Sequence, residues 1–211
     1  MDLPEMRTRL RRELKDEDAA NYRWSDDELD RHIARAVAEL SLSAPLQSKA
    51  TLTTTAGSRE LSVTPLSDLV ATEAVEYPTG NYPPDYVLFS LWGDTLTLLV
   101  DTVPGDGEEV AVYYGKLHTL DATTSTLPPP LEELVAAGAA GYAALEWANY
   151  AINRVNTGGE AVWRGYLTWA QERLAAFHQG LARHSRRNTV RVRRLYRPYQ
   201  PKSSQSTDWG P

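Results

Sequence analysis

The sequence of 211 residues contains no cysteine. It therefore has no disulfide framework and no thiolate metal site, which indicates a reducing compartment or a particle assembled inside a cell. Long apolar runs are also missing, since the longest, residues 134–145, is mostly alanine and glycine and is too short to span a bilayer. Residues 1–16 are charged and amphipathic rather than a signal peptide. We predict a soluble protein without a membrane anchor.

Signatures of catalysis are missing as well. The glycine turn at residues 104–107 is followed by acids where a phosphate loop needs a lysine. Residues 16–18 begin like a calcium loop, but Ala20 and Asn21 stand where a ligand and the turn glycine belong. No serine lies in a nucleophile elbow. Zinc spacing is absent from the four histidines, which are His32, His118, His178 and His184. We predict that the chain is not an enzyme and uses no metal or cofactor.

Charge is unevenly distributed along the chain, although the net charge is only −6. Residues 183–202 include eight basic residues and no acid, whereas residues 1–182 include 14 basic and 27 acidic residues, a net charge of −13. An acidic body with a basic tail is expected to bind either an acidic protein surface or a nucleic acid.

Two helices are predicted near the N-terminus. Asp2 and Pro4 mark the start of the first helix, and its inner face is apolar. Ser25 and Glu28 form a capping box that starts the second helix. Tyr22 and Trp24 precede this cap and are expected to staple the incoming chain onto the helix. The predicted inner faces are Leu3, Met6, Leu10 and Leu14 in the first helix, and Leu29, Ile33, Val37 and Leu40 in the second.

The outer face of the first helix is basic. We interpret it as a solvated face with cations toward the helix C-terminus, the alternative being contact with an acidic neighbour or with phosphate. Its members are Arg7, Arg9, Arg11, Arg12 and Lys15.

A small antiparallel sheet is predicted in the middle of the chain, where threonine-rich and β-branched segments alternate with turns. Gly93-Asp94 is expected to close a β-hairpin. Residues 56–58 are expected to form the turn between the first two strands. The predicted strands are 49–55, 59–64, 74–77, 86–92, 95–100 and 109–114.

A long helical hairpin is predicted after Pro130. Its first helix begins at Leu131 and ends before residues 156–159, and its second helix covers about residues 160–187. Gly138 and Gly141 would allow the two helices to approach closely. The predicted seam of the first helix is Leu131, Val135, Gly138, Tyr142, Leu145, Asn149 and Ile152, and that of the second is Trp163, Leu167, Ala170, Leu174, Phe177 and Leu181. We interpret Trp147, Trp163 and Trp169 as core or subunit-interface packing.

The chain after residue 187 is predicted to be an extended basic arm, followed by a Ser/Gln-rich end that is disordered until bound. The arm alternates basic with β-branched or aromatic residues, so it could clamp phosphates and stack on bases. It could equally add a strand to a neighbouring protein, with arginines meeting its acids. The candidate docking residues are Arg187, Arg191, Arg193, Arg194, Tyr196, Arg197 and Tyr199.

Several segments together resemble the head–tail adaptor (head-completion or connector) proteins of tailed bacteriophages. These segments are the acidic loop at residues 16–18, the cap Trp24-Ser25-Asp26 with Glu28-Leu29, Glu76-Tyr77-Pro78, Ser125-Thr126-Leu127-Pro128 and the helical pair at 131–187. The resemblance implies a structural virion protein that forms a ring of twelve copies beneath the portal and extends the DNA channel toward the tail. Its implied partners are the portal, other neck or tail proteins, its own copies and the DNA passing through. It implies a location in the virion neck, after assembly in the host cytoplasm.

We therefore predict an α+β fold, with a frame of about four helices, an inserted antiparallel β-region and an extended C-terminal arm. The predicted divisions are residues 1–47 and 125–187 for the helical domain, 48–124 for the β-rich insertion and 188–211 for the arm. Two alternatives remain open for the function. One is a DNA-binding accessory protein that uses the arm, and the other is a different virion ring such as a tail terminator.

Overall fold

The computed structural model describes residues 1–152 and 161–185. These residues form four helices and seven strands, which confirms the predicted α+β fold. The helices are α1 (Leu3–Leu14), α2 (Asp26–Ser43), α3 (Pro129–Ala151) and α4 (Val162–His184). The strands are β1 (Leu46–Thr53), β2 (Glu60–Ser62), β3 (Leu69–Glu76), β4 (Tyr86–Val87), β5 (Phe89–Trp92), β6 (Thr95–Leu98) and β7 (Glu109–Lys116).

Both N-terminal helices begin at the predicted caps. The Asp2 carboxylate accepts a hydrogen bond from the N–H of Glu5, and the Glu5 carboxylate accepts one from the N–H of Asp2. Ser25 and Glu28 form the same reciprocal pair at the start of α2. Each capping box satisfies backbone donors that the first turn leaves without helical partners. The predicted apolar faces of both helices then pack into the core.

The predicted close approach of α3 and α4 is confirmed. A Cβ atom added to Gly138 would lie 2.9 Å from the ring of Phe177, and one added to Gly141 would lie 2.8 Å from Leu174. The predicted seam of α3 is wrong at its C-terminal end, because Asn149 and Ile152 are exposed. A straight helix drifts away from a 3.5-residue repeat, so small alanines become the inward residues of the last turns of α3. The predicted helix stop at 156–159 lies outside the described residues.

The four helices enclose one apolar core. α1 and α2 both pack on α3, as the prediction of a helical frame required. The largest fully buried side chains of this helical core are Met6, Leu10, Leu29, Ile33, Leu40, Val135 and Phe177.

The β-region consists of two antiparallel sheets rather than one. The four-stranded sheet has the order β1-β7-β3-β4, and the three-stranded sheet has the order β2-β6-β5. The turn at 56–58 does not close a hairpin, because β1 pairs with β7 while β2 pairs with β6. The predicted strand 86–92 is divided at Leu88 between the two sheets. Alternation identifies the buried face of a strand but does not identify its partner, so the sequence pattern could not distinguish one sheet from two.

A second apolar core joins the two sheets. Leu61, Leu96 and Leu98 come from the three-stranded sheet, and Val75 and Val112 come from the four-stranded sheet. Because each sheet contributes one inner face, the outer face of the three-stranded sheet can remain polar or bind another surface.

Candidate interaction surface

The hairpin of β5 and β6 presents an apolar outer surface. It turns at Gly93-Asp94 as predicted, with Trp92 opposite Thr95 and a positive φ of 56° at Gly93. Successive strand residues point to opposite faces, so Phe89 and Leu91 point toward the second core. Leu88 and Trp92 therefore lie on the other side, together with Ser90 between them.

The outward residues are large and strongly exposed. Trp92 is 88% exposed and Leu88 is 74% exposed. Leu99, which donates its N–H to the carbonyl of Leu88 at 2.9 Å, is 56% exposed on the same face. Tyr82, in the loop that precedes β4, is 99% exposed. Several large apolar side chains exposed on one face are typical of surfaces that bind other proteins, whereas single exposed residues are ordinary. We define Leu88, Trp92 and Leu99 as the hairpin patch.

The surroundings of the hairpin patch are acidic. Residues 48–124 include 11 acidic and three basic residues, a net charge of −8. Glu60 lies opposite Thr97 on the same outer face, and Asp94 lies at the hairpin turn. Asp101 lies two residues beyond Leu99. No ion pair joins the carboxylate of Glu60, Asp94 or Asp101 to any cation in the part of the chain that the structure describes. The patch is thus suited to a partner that is both apolar and basic.

The basic face of α1 contrasts with this surface, and its interpretation as a solvated face is wrong for Arg7, Arg9 and Arg11. Arg12 and Lys15 are exposed. Arg11 is buried, and its guanidinium donates to Asp16 Oδ2 at 2.7 Å, to the Trp24 carbonyl at 3.0 Å and to Asp26 Oδ1 at 2.8 Å. The ring of Tyr22 stacks on the same guanidinium, with 3.5 Å between its centroid and Arg11 Cζ. The two residues predicted to staple the chain onto α2 therefore have different contacts. Trp24 is buried in the core, whereas Tyr22 covers the guanidinium of Arg11.

Other cations of α1 are paired too. Arg7 Nη1 lies 2.7 Å from Asp26 Oδ2, and its Nε lies 2.8 Å from Asp30 Oδ1. Burial raises the pKa of the Asp30 carboxyl, with Arg7 opposing that effect. Arg9 pairs with Glu133 of α3. Arg7 and Arg9 are two residues apart and therefore lie on different sides of α1. Helical periodicity could not show that α2 and α3 supply acids to them.

The carboxylate of Asp16 holds the acidic loop against α1 and the start of α2. The Asp16 carboxylate accepts hydrogen bonds from the backbone N–H of Arg23 at 2.7 Å and of Trp24 at 3.3 Å, besides the bond from Arg11. Within residues 1–152 and 161–185, no cluster of three or more His, Asp or Glu side chains could hold a metal ion.

Histidine and tyrosine titrations in the helical body also follow burial. Burial lowers the pKa of His32, while the carboxylate of Glu146, 2.8 Å from its Nε2, acts in the opposite direction. Burial raises the pKa of Tyr142 to about 12, assisted by hydrogen bonds to the Glu39 carboxylate at 2.7 Å. Both groups tie α2 to α3. Trp147 packs against Trp24 at the border of the helical core, with ring centroids 5.7 Å apart.

The chain matches a known protein family over most of its length. A family model described as "SU10 adaptor protein" matches residues 1–195. The chain belongs to the SU10 adaptor protein family. The predicted resemblance to adaptor proteins is thereby confirmed.

A structural comparison matches the adaptor to a chain of a particle described as "Neck of empty GTA particle computed with C6 symmetry". The sequence identity is 16% and the TM-score is 0.28, with 80% of this chain and 88% of the other covered. No curated protein matches the chain.

The predicted docking residues of the arm lie outside the described residues. They are Arg187, Arg191, Arg193, Arg194, Tyr196, Arg197 and Tyr199. The sequence pattern predicted the hairpin but not the hairpin patch. One feature of the sequence indicates the patch. The outer face of the hairpin is otherwise polar, and Leu88, Trp92 and Leu99 interrupt that pattern. None of the helices among the described residues combines the length and the hydropathy needed to cross a membrane.

Proposed function

We propose that this adaptor forms a ring of twelve copies in the neck of a phage-like virion. In this proposal the ring docks beneath the portal, contacts other neck or tail proteins and extends the DNA channel toward the tail. The observation that carries the proposal is the match of residues 1–195 to an adaptor family. We also propose that residues 1–47 and 125–187 act as one helical domain, 48–124 as an inserted unit and 188–211 as an arm.

The helical body is suited to side-to-side contacts in such a ring. Ala34, Ala38 and Leu42 form a smooth exposed line along α2, one helical turn apart. Leu117 lies beside them across a shallow groove of about 340 Å³. Leu42 is 68% exposed. We propose that an adjacent copy covers this groove, since burial of these side chains would contribute to ring stability.

The negative charge of residues 1–182 suits a channel that DNA must pass through. A net charge of −13 repels the phosphate backbone, so packaged DNA would slide rather than bind. The basic arm has the opposite property. We propose that Arg187, Arg191, Arg193, Arg194, Tyr196, Arg197 and Tyr199 dock it onto the portal or an adjacent copy.

Deletion of residues 188–211 tests the arm. We expect the truncated chain to keep its helical circular dichroism and its unfolding midpoint while it fails to co-sediment with the portal. A chain shortened only by residues 203–211 is the matched control, because it loses the Ser/Gln-rich end but keeps the cations, and it should bind. Unchanged portal binding by the longer deletion would remove the arm from the docking site.

Particle mass tests the ring. Native mass spectrometry of the adaptor mixed with portal should give twelve adaptor chains per portal ring. The alternative of a DNA-binding accessory protein predicts instead an affinity for duplex or single-stranded DNA that falls steeply with salt. DNA binding without portal binding would overturn the proposed function.

A further inference from the structure

The strand β5 has an open edge in the described structure. It pairs on one side with β6 and lies at the end of its sheet. The hydrogen bond from the Leu99 N–H to the Leu88 carbonyl sets the alternation of the ladder, so the backbone groups of Ser90 and Trp92 also point toward β6. The N–H and C=O groups of Phe89 and Leu91 consequently point away from the sheet, where an added strand could bind them.

The two faces beside this edge differ in chemistry. On the inner face, Phe89 and Leu91 are only half-buried and continue the second core to the edge. On the outer face stands Trp92, whose exposed ring can accept a cation. Glu60 lies on the same outer face, two strands away on β2, and Asp94 lies at the hairpin turn. An incoming strand would therefore need apolar side chains on one face and cations on the other.

Residues 189–193 of this chain have that pattern. They read Thr-Val-Arg-Val-Arg, so an extended strand would place Val190 and Val192 on one face and Arg191 and Arg193 on the other. They also lie in the segment with eight basic residues and no acid, whereas residues 48–124 have a net charge of −8. The alternation and the charge of this segment therefore match what the open edge requires.

We propose that residues 189–193 of an adjacent copy add as a strand to the open edge of β5. Val190 and Val192 then cover Phe89 and Leu91, and the arginines lie over Trp92 beside the acidic side chains. This inference rests on the proposed ring, and it names the surface that receives the arm. Main-chain hydrogen bonds supply the affinity, and the alternating side chains set the face of the added strand.

The segment between Ser185, the last described residue, and the proposed strand is short. Residues 186–188 separate Ser185 from Thr189. An extended chain over those four steps spans about 13–14 Å at 3.3–3.6 Å per residue. The proposal therefore requires that the receiving β5 belong to a copy seated directly beside the end of α4.

Disulfide trapping tests the proposal, because the natural chain has no cysteine. A chain carrying Ser90→Cys, on the outer face of β5, is mixed with chains carrying one cysteine at each position from 189 to 193. In an added strand only alternate positions share the outer face with residue 90, and a disulfide needs Cβ atoms about 3.5–4.5 Å apart. Covalent dimers are then quantified by gel electrophoresis under non-reducing conditions.

Arg191 lies opposite residue 90 when Val190 and Val192 cover Phe89 and Leu91, so we expect several-fold more dimer from Arg191→Cys than from Val190→Cys and Val192→Cys. Thr189→Cys and Arg193→Cys, which are diagonal to residue 90 on the same face, should give intermediate amounts. Ser62→Cys is the matched control, because it lies on the outer face of β2 at the opposite edge of the same sheet, and it should trap none of them. Equal trapping at odd and even positions, trapping by Ser62→Cys or an absence of dimers would each overturn strand addition.

Portal binding, measured on the same mixtures before oxidation, separates this inference from the proposed function. A portal-bound ring without alternating trapping would leave the ring standing and remove the strand. Alternating trapping in a protein that ignores the portal would do the reverse.

Discussion

The helical body and the three-stranded sheet use charged and apolar side chains in opposite ways. In the helical body Arg7, Arg9 and Arg11 all find acids within the same chain, and Arg11 is buried among three acceptors. In the three-stranded sheet, Glu60 and Asp94 have no ion pair with the described residues, and Trp92 projects from the surface. The first region pairs these arginines within the same chain, while the second retains groups that a partner can satisfy.

This contrast indicates where stability and where binding reside. Charged pairs that are buried cannot be changed singly without leaving a charge stranded. Exposed apolar residues and carboxylates can be changed at little cost to the fold. We therefore expect substitutions in the helical body to alter unfolding and those in the hairpin patch to alter assembly.

The largest effect is expected at Arg11. Arg11→Met leaves Asp16 buried without its cation, and loss of one partner of a buried pair costs about 3–5 kcal/mol in the free energy of unfolding. Arg12→Met is the control, because Arg12 is 71% exposed and lies 3.8 Å from Glu17, and an exposed pair contributes about 0–1 kcal/mol. Urea unfolding measures both. Equal losses in the two variants would show that the network of Arg11 is not a stabilising element.

A smaller effect is expected at the contact between α3 and α4. Gly138→Ala forces a Cβ atom against Phe177, and overpacking costs about 1–3 kcal/mol, more than the gain in helix propensity of roughly 1 kcal/mol. Gly165→Ala, in open space on α4, retains only the gain and should raise the free energy of unfolding by about 0.5–1 kcal/mol. Thermal unfolding measures both variants. If the midpoint temperature rises for both, the contact between α3 and α4 at Gly138 has room for a Cβ atom.

A pH dependence is expected from His32. Burial lowers its pKa below the ordinary value of 6.5, so the unfolded chain binds the proton first as the pH falls. The stability that His32 contributes is therefore complete above about pH 6.5 and declines below it, by at most about 1.4 kcal/mol per pH unit for one proton. His32→Gln should flatten this decline between pH 7 and pH 5. His178→Gln is the control, because the side chain of His178 is 58% exposed. Urea unfolding between pH 7 and pH 5 measures both variants.

The smallest effect on stability is expected at the hairpin patch. Trp92→Ser should change the free energy of unfolding by less than about 0.5 kcal/mol, because the side chain is mostly in solvent. Leu96→Ala, in the facing strand but fully buried, should cost about 2–5 kcal/mol and is the matched control. Chemical denaturation compares the two. A loss of several kcal/mol from Trp92→Ser would mean that the patch belongs to the core.

Local elements were predictable because their causes are local. The capping boxes at Asp2 and Ser25, the turn at Gly93 and the glycines that admit α4 all follow from a few neighbouring residues. The pairing of β1 with β7 was not predictable, since it joins residues about 60 positions apart through backbone groups that carry no sequence identity.

The candidate surface was only partly accessible to prediction. The basic arm is a run of side chains that any reading of charge detects. Prediction of the hairpin patch would have required knowing which face of β5 packs on the second core. The arginines of α1 were interpreted as solvated for a similar reason, because the sequence does not show which elements pack beside them.

Residue order alone determined the helix starts, the tight turns, the acidic body and the basic arm, because capping, φ preference and charge depend on side chains within a few positions. Tertiary structure decided the division into two sheets, the burial of Arg11 and the exposure of Trp92. Each of these depends on which distant residue lies opposite, and that choice is made by the packing of whole faces rather than by any short segment.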